Sequence, residues 1–207
     1  AAAEIGLFLV NIRENESMWE KYKEPVITKL AVFNKTPSII LRSSYRNLSK
    51  SEVRSISNIF IREKSYGGFD GYSTIKHSYN LKTINGDKVV MDHTTGLMWH
   101  QSGSDTIMSW DKAKDWVKNL NSRVYAGSRD WRLPTVDEAA SLLESSKING
   151  LFIDPIFSDM QKYFWTGDEC ESDEKCHAWS VLFHVGNVGL QQISGSYLPV
   201  RPVRSIN

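Results

Sequence analysis

The sequence predicts an α+β domain in which two helices flank an antiparallel sheet, preceded by a smaller helical or mixed amino-terminal segment. Three observations carry this: a hairpin signal centred on Asn85-Gly86, two capped amphipathic stretches opening at Ser109 and Thr135, and a closing series of strand-like runs separated by glycine turns.

Residues 1–47 show weak periodicity. Val26–Phe33 and Ser38–Leu41 read equally as short strands or buried helix turns. Ser49-Lys-Ser-Glu52 has the form of a capping box, and Val53, Ile56, Ile59 and Phe60 follow at helical spacing, predicting a helix near 50–62. Tyr66-Gly-Gly-Phe-Asp-Gly71 breaks that pattern. Residues 1–77 are therefore expected to form an amino-terminal segment, a candidate docking arm, and residues 78–207 the main domain.

Leu81–Ile84 and Asp87–Met91 flank Asn85-Gly86, the dipeptide that supplies the positive φ angles of a type I′ turn. Thr94-Thr-Gly96 is a second turn, leading into Leu97-Met-Trp99. After Ser109, residues Trp110, Ala113, Trp116, Val117 and Leu120 share one helical face, opposite Asp111, Lys112, Lys114 and Lys118. Pro134 holds Leu133 extended and Thr135-Val-Asp-Glu138 caps the second helix. Arg132, at that corner, is expected to pair with a carboxylate or loop carbonyls. Strand-like runs follow at Tyr163–Thr166, Ala178–Phe183, Leu190–Ile193 and Val200–Arg204. Arg201 and Arg204 fall on opposite faces of a regular strand, which predicts one buried in an ion pair and one exposed.

Composition narrows the function classes. Residues 1–77 hold 12 Lys and Arg against 8 Asp and Glu, and residues 78–207 hold 13 against 16. Neither part has the dense basic surface that nucleic acid requires. No run reaches the roughly 18–20 apolar residues of a membrane span. Ala1-Ala-Ala-Glu4 and the apolar run after it lack the basic start of a signal peptide, which leaves open whether a natural signal or anchor has been trimmed. Cys170 and Cys176 stand six positions apart; a bridge between them would close a small polar loop, contribute about 2 kcal/mol and favour an oxidising compartment. The alternative is two unrelated thiols. The acidic run from Asp168 to Glu174 offers Asp168, Glu169 and Asp173 as calcium candidates, against the plainer reading of a solvated loop; no other cofactor is expected. Trp165, His177, Gln191, Gln192 and Tyr197 supply the aromatic faces and amides that grip sugars or peptides, and are the expected ligand site. No histidine pair and no Gly-x-Ser-x-Gly elbow points to catalysis, so an enzyme is the less favoured class.

The blocks Asp92-His-Thr-Thr-Gly-Leu-Met-Trp99, Ala126-Gly-Ser-Arg-Asp-Trp-Arg-Leu-Pro-Thr135, Phe164-Trp-Thr-Gly167, Trp179-Ser-Val-Leu-Phe183 and Val200-Arg-Pro-Val-Arg204 resemble, in order, the Lcl C-terminal domain family of bacterial collagen-like adhesins. The resemblance covers residues 79–206. It implies a C-type-lectin-like fold in a periplasmic or extracellular bacterial protein, binding a glycan or a protein surface ligand, with sulfated polysaccharide and a trimer as the adhesin precedent. It carries no catalytic residue. Two alternatives remain: an enzyme like the formylglycine-generating oxidases, whose fold is also lectin-like and whose cysteine pair Cys170 and Cys176 resemble, and a structural or sensory terminal domain of a larger protein.

Overall fold

A computed structural model of the chain describes residues 37–65, 67–171 and 177–206. They form a mixed, sheet-rich domain with few helices. In chain order the elements are β1 (Asn47–Leu48), α1 (Lys50–Val53), β2 (Ile59–Ser65), β3 (Gly68–Ser73), β4 (Tyr79–Ile84), β5 (Asp87–Asp92), β6 (Leu97–His100), α2 (Trp110–Ser122), α3 (Val136–Ser141), β7 (Tyr163–Cys170), β8 (His177–Leu182), β9 (Asn187–Gln192) and β10 (Val203–Ser205).

The hairpin β4–β5 turns where expected, with Asn85 and Gly86 both at positive φ and Ile84 opposite Asp87. It continues into an antiparallel sheet of order β10-β6-β5-β4. Both faces of its centre are buried. Val89 and Met98 point to a cluster with Trp110, Ala113, Val117 and Leu120 of α2, while Val90, Leu97 and Trp99 point to a cluster with α3 and the second sheet. That is why Leu97-Met-Trp-His100 is buried without a break and Leu97-Met-Trp99 reads as an apolar run rather than an alternating one. Trp116, expected in this core, is only partly buried and packs against its edge beside His100. Seen down the helix it lies at the margin of the apolar stripe that Ala113, Val117 and Leu120 define.

The second sheet has the order β1-β7-β8-β9-β3-β2, and only the β1–β7 pairing is parallel. Its composition revises the expected amino-terminal organisation. The capping box at Ser49 is real, with the Glu52 carboxylate 2.8 Å from the Ser49 amide, but α1 ends after one turn at Val53. The helix expected to reach residue 62 gives way to a strand, because Asn58 adopts a left-handed conformation and Ile59-Phe-Ile61 then alternates. Ile59 and Ile61 pack on the core while Phe60 is exposed. β3 pairs with β9, Phe69 opposite Val188. A Cβ on Gly68 would collide with the Val188 carbonyl, so this glycine marks a close strand approach where the sequence suggested a boundary. Leu48, Val53 and Phe69 are buried in the same cluster as Trp99, Phe164 and Trp179. The compact unit runs from Pro37 to Asn207, and the boundary expected at 77/78 falls inside it.

The α3 corner is built as the sequence implies. Thr135 and Glu138 complete a capping box, and Arg132 meets the fully buried Glu138 through two 2.6 Å hydrogen bonds. The pair Arg201 and Arg204 departs from expectation. Arg201 is fully buried without a carboxylate partner among the described residues: its guanidinium donates to the Gln101 and Ser158 carbonyls and lies 5.1 Å from the Phe157 ring. Burial alone lowers its pKa to about 9. Arg204 instead pairs with Asp130 at 2.7 Å near the surface.

Candidate functional site

Register in β7, β8 and β9 decides which expected ligand residues meet. Directly paired residues share a face, and successive residues alternate. Tyr163 opposes Leu182, Trp165 opposes Ser180, and Ala178 opposes Gln191 on one face. His177 opposes Gln192, and Trp179 opposes Leu190, on the other. The sheet therefore divides the expected set: His177 and Gln192 lie on the face of the α3 core, Gln191 and Trp165 on the reverse.

Trp165 does not line a surface site. It is fully buried, and its indole Nε1 donates to the Met108 carbonyl at 2.8 Å. The segment after Tyr197 closes that end of the face. Leu198 bridges to Met108, and the Pro199 carbonyl accepts from the Trp165 amide. The strand pattern placed Trp165 on the correct strand, but its burial depends on chain more than thirty residues away.

Beyond Leu198 the same face stays open. Tyr163, Leu182, His184, Gln191, Ser196, Tyr197 and Leu198 line a shallow depression of about 270 Å³. Tyr197 is 59% exposed, while Gln191 and His184 are half-buried. The Gln192 carbonyl accepts from the Ser196 amide, a tight turn that carries Tyr197 back over β9. Of the expected residues, Gln191 and Tyr197 are the two this depression brings together. Two further depressions, of about 350 Å³ beside Phe157 and Asp154 and about 340 Å³ beside Tyr45 and Glu169, unite none of them.

The calcium candidates separate as well. Asp168 is fully buried rather than part of a polar loop. One of its oxygens accepts from Arg42 Nη1 and the Arg46 amide, the other from Arg42 Nη2 and the Val136 amide, at 2.7–2.8 Å. Four donors occupy the acceptor positions of one carboxylate, so a cation there would have to displace a guanidinium. Glu169 lies in β7 opposite Ala178. Asp173 and Cys176 lie outside the described residues, and with them the Cys170–Cys176 bridge and the oxidase likeness that rests on it.

The Lcl C-terminal domain profile matches residues 88–204, more than half of the chain. The chain belongs to the Lcl C-terminal domain family. No curated protein and no solved structure matches it. The family is one of surface-associated modules. The matched stretch of this Lcl domain contains α2, α3 and the open depression, whereas Arg42 and His77 precede it. No described helix is long and apolar enough to cross a membrane.

One polar pair, joining His77 just ahead of the matched stretch to Asp92 within it, escaped the sequence reading. His77 Nδ1 lies 2.7 Å from the Asp92 carboxylate and Nε2 lies 2.7 Å from the Ser141 carbonyl. Both ring nitrogens face acceptors, which favours the imidazolium. Burial is the largest influence on His77 and opposes its charge, but the hydrogen bond and charge of Asp92 together with the Ser141 carbonyl outweigh it and raise the pKa. For Asp92, burial again opposes ionisation, and His77 and Thr95 outweigh it to lower the pKa. The only available signal was Asp92 followed by Thr94 and Thr95, both of which donate to its carboxylate.

His77 contributes stability that is complete below about pH 6.5 and is lost as pH rises through its raised folded pKa. Asp92 contributes stability that is complete above about pH 4 and is lost as pH falls through its lowered one. Thermal melts carried from about pH 6.5 upward should therefore show the His77 contribution being lost as pH rises, and His77→Gln should abolish that loss. Parallel profiles for the two proteins would show that the imidazolium is absent.

Proposed function

We propose that this chain is a periplasmic or extracellular binding module of C-type-lectin-like arrangement that recognises a glycan or a protein surface ligand. The observation that carries the reading is the open depression under Tyr197, where an exposed aromatic ring in the segment after β9 stands beside the Gln191 amide, which β9 holds in place. A preorganised surface of this kind lowers the entropic cost of binding. Catalysis is less well supported: the buried charged pairs Arg132–Glu138 and His77–Asp92 engage each other and do not line that depression.

A glycan array probed with the whole chain tests the proposal. The Gln191→Ala, Tyr197→Ala double variant should lose array binding while its melting temperature stays within about 2 °C, since neither side chain is a core element. Retained binding in a correctly folded double variant would move the site away from this face.

A further inference from the structure

We infer that the depression under Tyr197 takes a single uncharged sugar ring, a refinement that rests on the binding-module reading. Its described lining contains aromatic, aliphatic, amide, hydroxyl and imidazole groups, and no Asp, Glu, Lys or Arg. An anionic ligand would have to shed its hydration shell there without gaining a charge-assisted hydrogen bond, a net loss. The arginines of the α3 corner do not line the depression and are already committed, Arg42 to Asp137 and Asp168, Arg132 to Glu138.

What the lining does offer matches a neutral sugar. A pyranose has an apolar C–H face and a rim of hydroxyls that both donate and accept. Tyr197 supplies a largely exposed ring for the face. The Gln191 amide and the Ser196 hydroxyl each provide a donor and an acceptor for the rim. His184 Nδ1 lies 3.3 Å from the Lys162 carbonyl, so in the neutral ring Nδ1 carries the proton and Nε2 is left as an acceptor. The size argues in the same direction. About 270 Å³ lies just under the roughly 300 Å³ lower bound of drug-sized pockets, enough for one ring and too little to enclose an oligosaccharide or a helical peptide. A site this shallow binds weakly by itself and gains avidity when several copies meet a repetitive surface.

The whole chain should be titrated, with saturation-transfer NMR as the readout, against methyl glucoside, methyl galactoside, methyl mannoside and N-acetylglucosamine. Glucuronate, N-acetylneuraminate and glucose 6-sulfate are the anionic arm. At least one neutral sugar should bind, Tyr197→Ala and Gln191→Ala should each weaken it about tenfold, and Tyr197→Phe should leave it nearly unchanged. Raising the salt from about 0.05 M to about 0.5 M should not alter the affinity. Preference for an anionic sugar, with salt-sensitive binding that still needs Tyr197, would overturn the neutral-ligand inference and leave the binding module standing. Neutral-sugar binding indifferent to Tyr197 and Gln191 in folded variants would overturn the assigned site. A blank panel beside a positive glycan array would overturn the single-ring inference alone, and a blank panel beside a blank array would count against both.

Discussion

A fragment of residues 78–207 is expected not to melt cooperatively, whereas residues 37–207 should. The shorter fragment lacks β1, β2 and β3, and so leaves the edge of β9 without a partner. It also withdraws Leu48, Val53 and Phe69 from the main core, where each is at most 4% exposed. Deleting a buried side chain of this size costs about 2–5 kcal/mol. Three such losses rival the roughly 5–15 kcal/mol by which whole domains are stable. Circular dichroism melts and a proton–nitrogen NMR spectrum of both fragments decide the matter. A cooperative transition with dispersed resonances from residues 78–207 would restore the boundary suggested by the glycine-rich stretch around Gly68 and show that β1–β3 are an appendage.

Asp168→Ala should be the most damaging single substitution among the polar residues, with a loss of about 3–5 kcal/mol in urea unfolding. Its carboxylate joins three separate parts of the chain: Arg42 and Arg46 before β1, the amide of Val136 at the start of α3, and β7 itself. Removing it leaves the Arg42 guanidinium only Asp137 and the Ser44 carbonyl among the described residues and strands two backbone amides, a cost larger than the value of any one hydrogen bond. Asp168→Asn keeps the shape but turns two donors toward donors, and should recover little. The double variant with Arg42→Met should be less unstable than the sum of the two single variants, because the second change removes the charge that the first left unpaired. A loss under about 1 kcal/mol for Asp168→Ala would mean that water already serves these groups and that the carboxylate does not anchor residues 37–48.

How legible each feature was in the sequence depends on the distance over which it is decided. Asn85-Gly86 turns the hairpin, Ser49 with Glu52 and Thr135 with Glu138 cap their helices, and Arg132 meets Glu138 six residues on. Each arrangement is settled within one or two turns of chain, where residue type and spacing constrain backbone torsions directly. The helix expected over 50–62 failed at the point where local spacing was ambiguous. Ile59 and Ile61 satisfy a strand once β3 is there to pair with them, and nothing local announces β3, whose glycines look like a linker until β9 lies against them.

The sequence by itself determined the order of the hairpin, the two helices and the closing strands, the identity of the residues available for binding, and the family blocks that the Lcl C-terminal domain match confirms. Only the tertiary structure decided that Gln191 and Gln192 face opposite sides of a sheet, that Trp165 is sealed under Leu198 while Tyr197 stays open, and that Arg42 reaches Asp168 across 126 positions. The physical reason is that register and face are properties of pairs of strands. A side chain's exposure is fixed by whichever distant segment crosses over it, and that choice is made by the whole core at once.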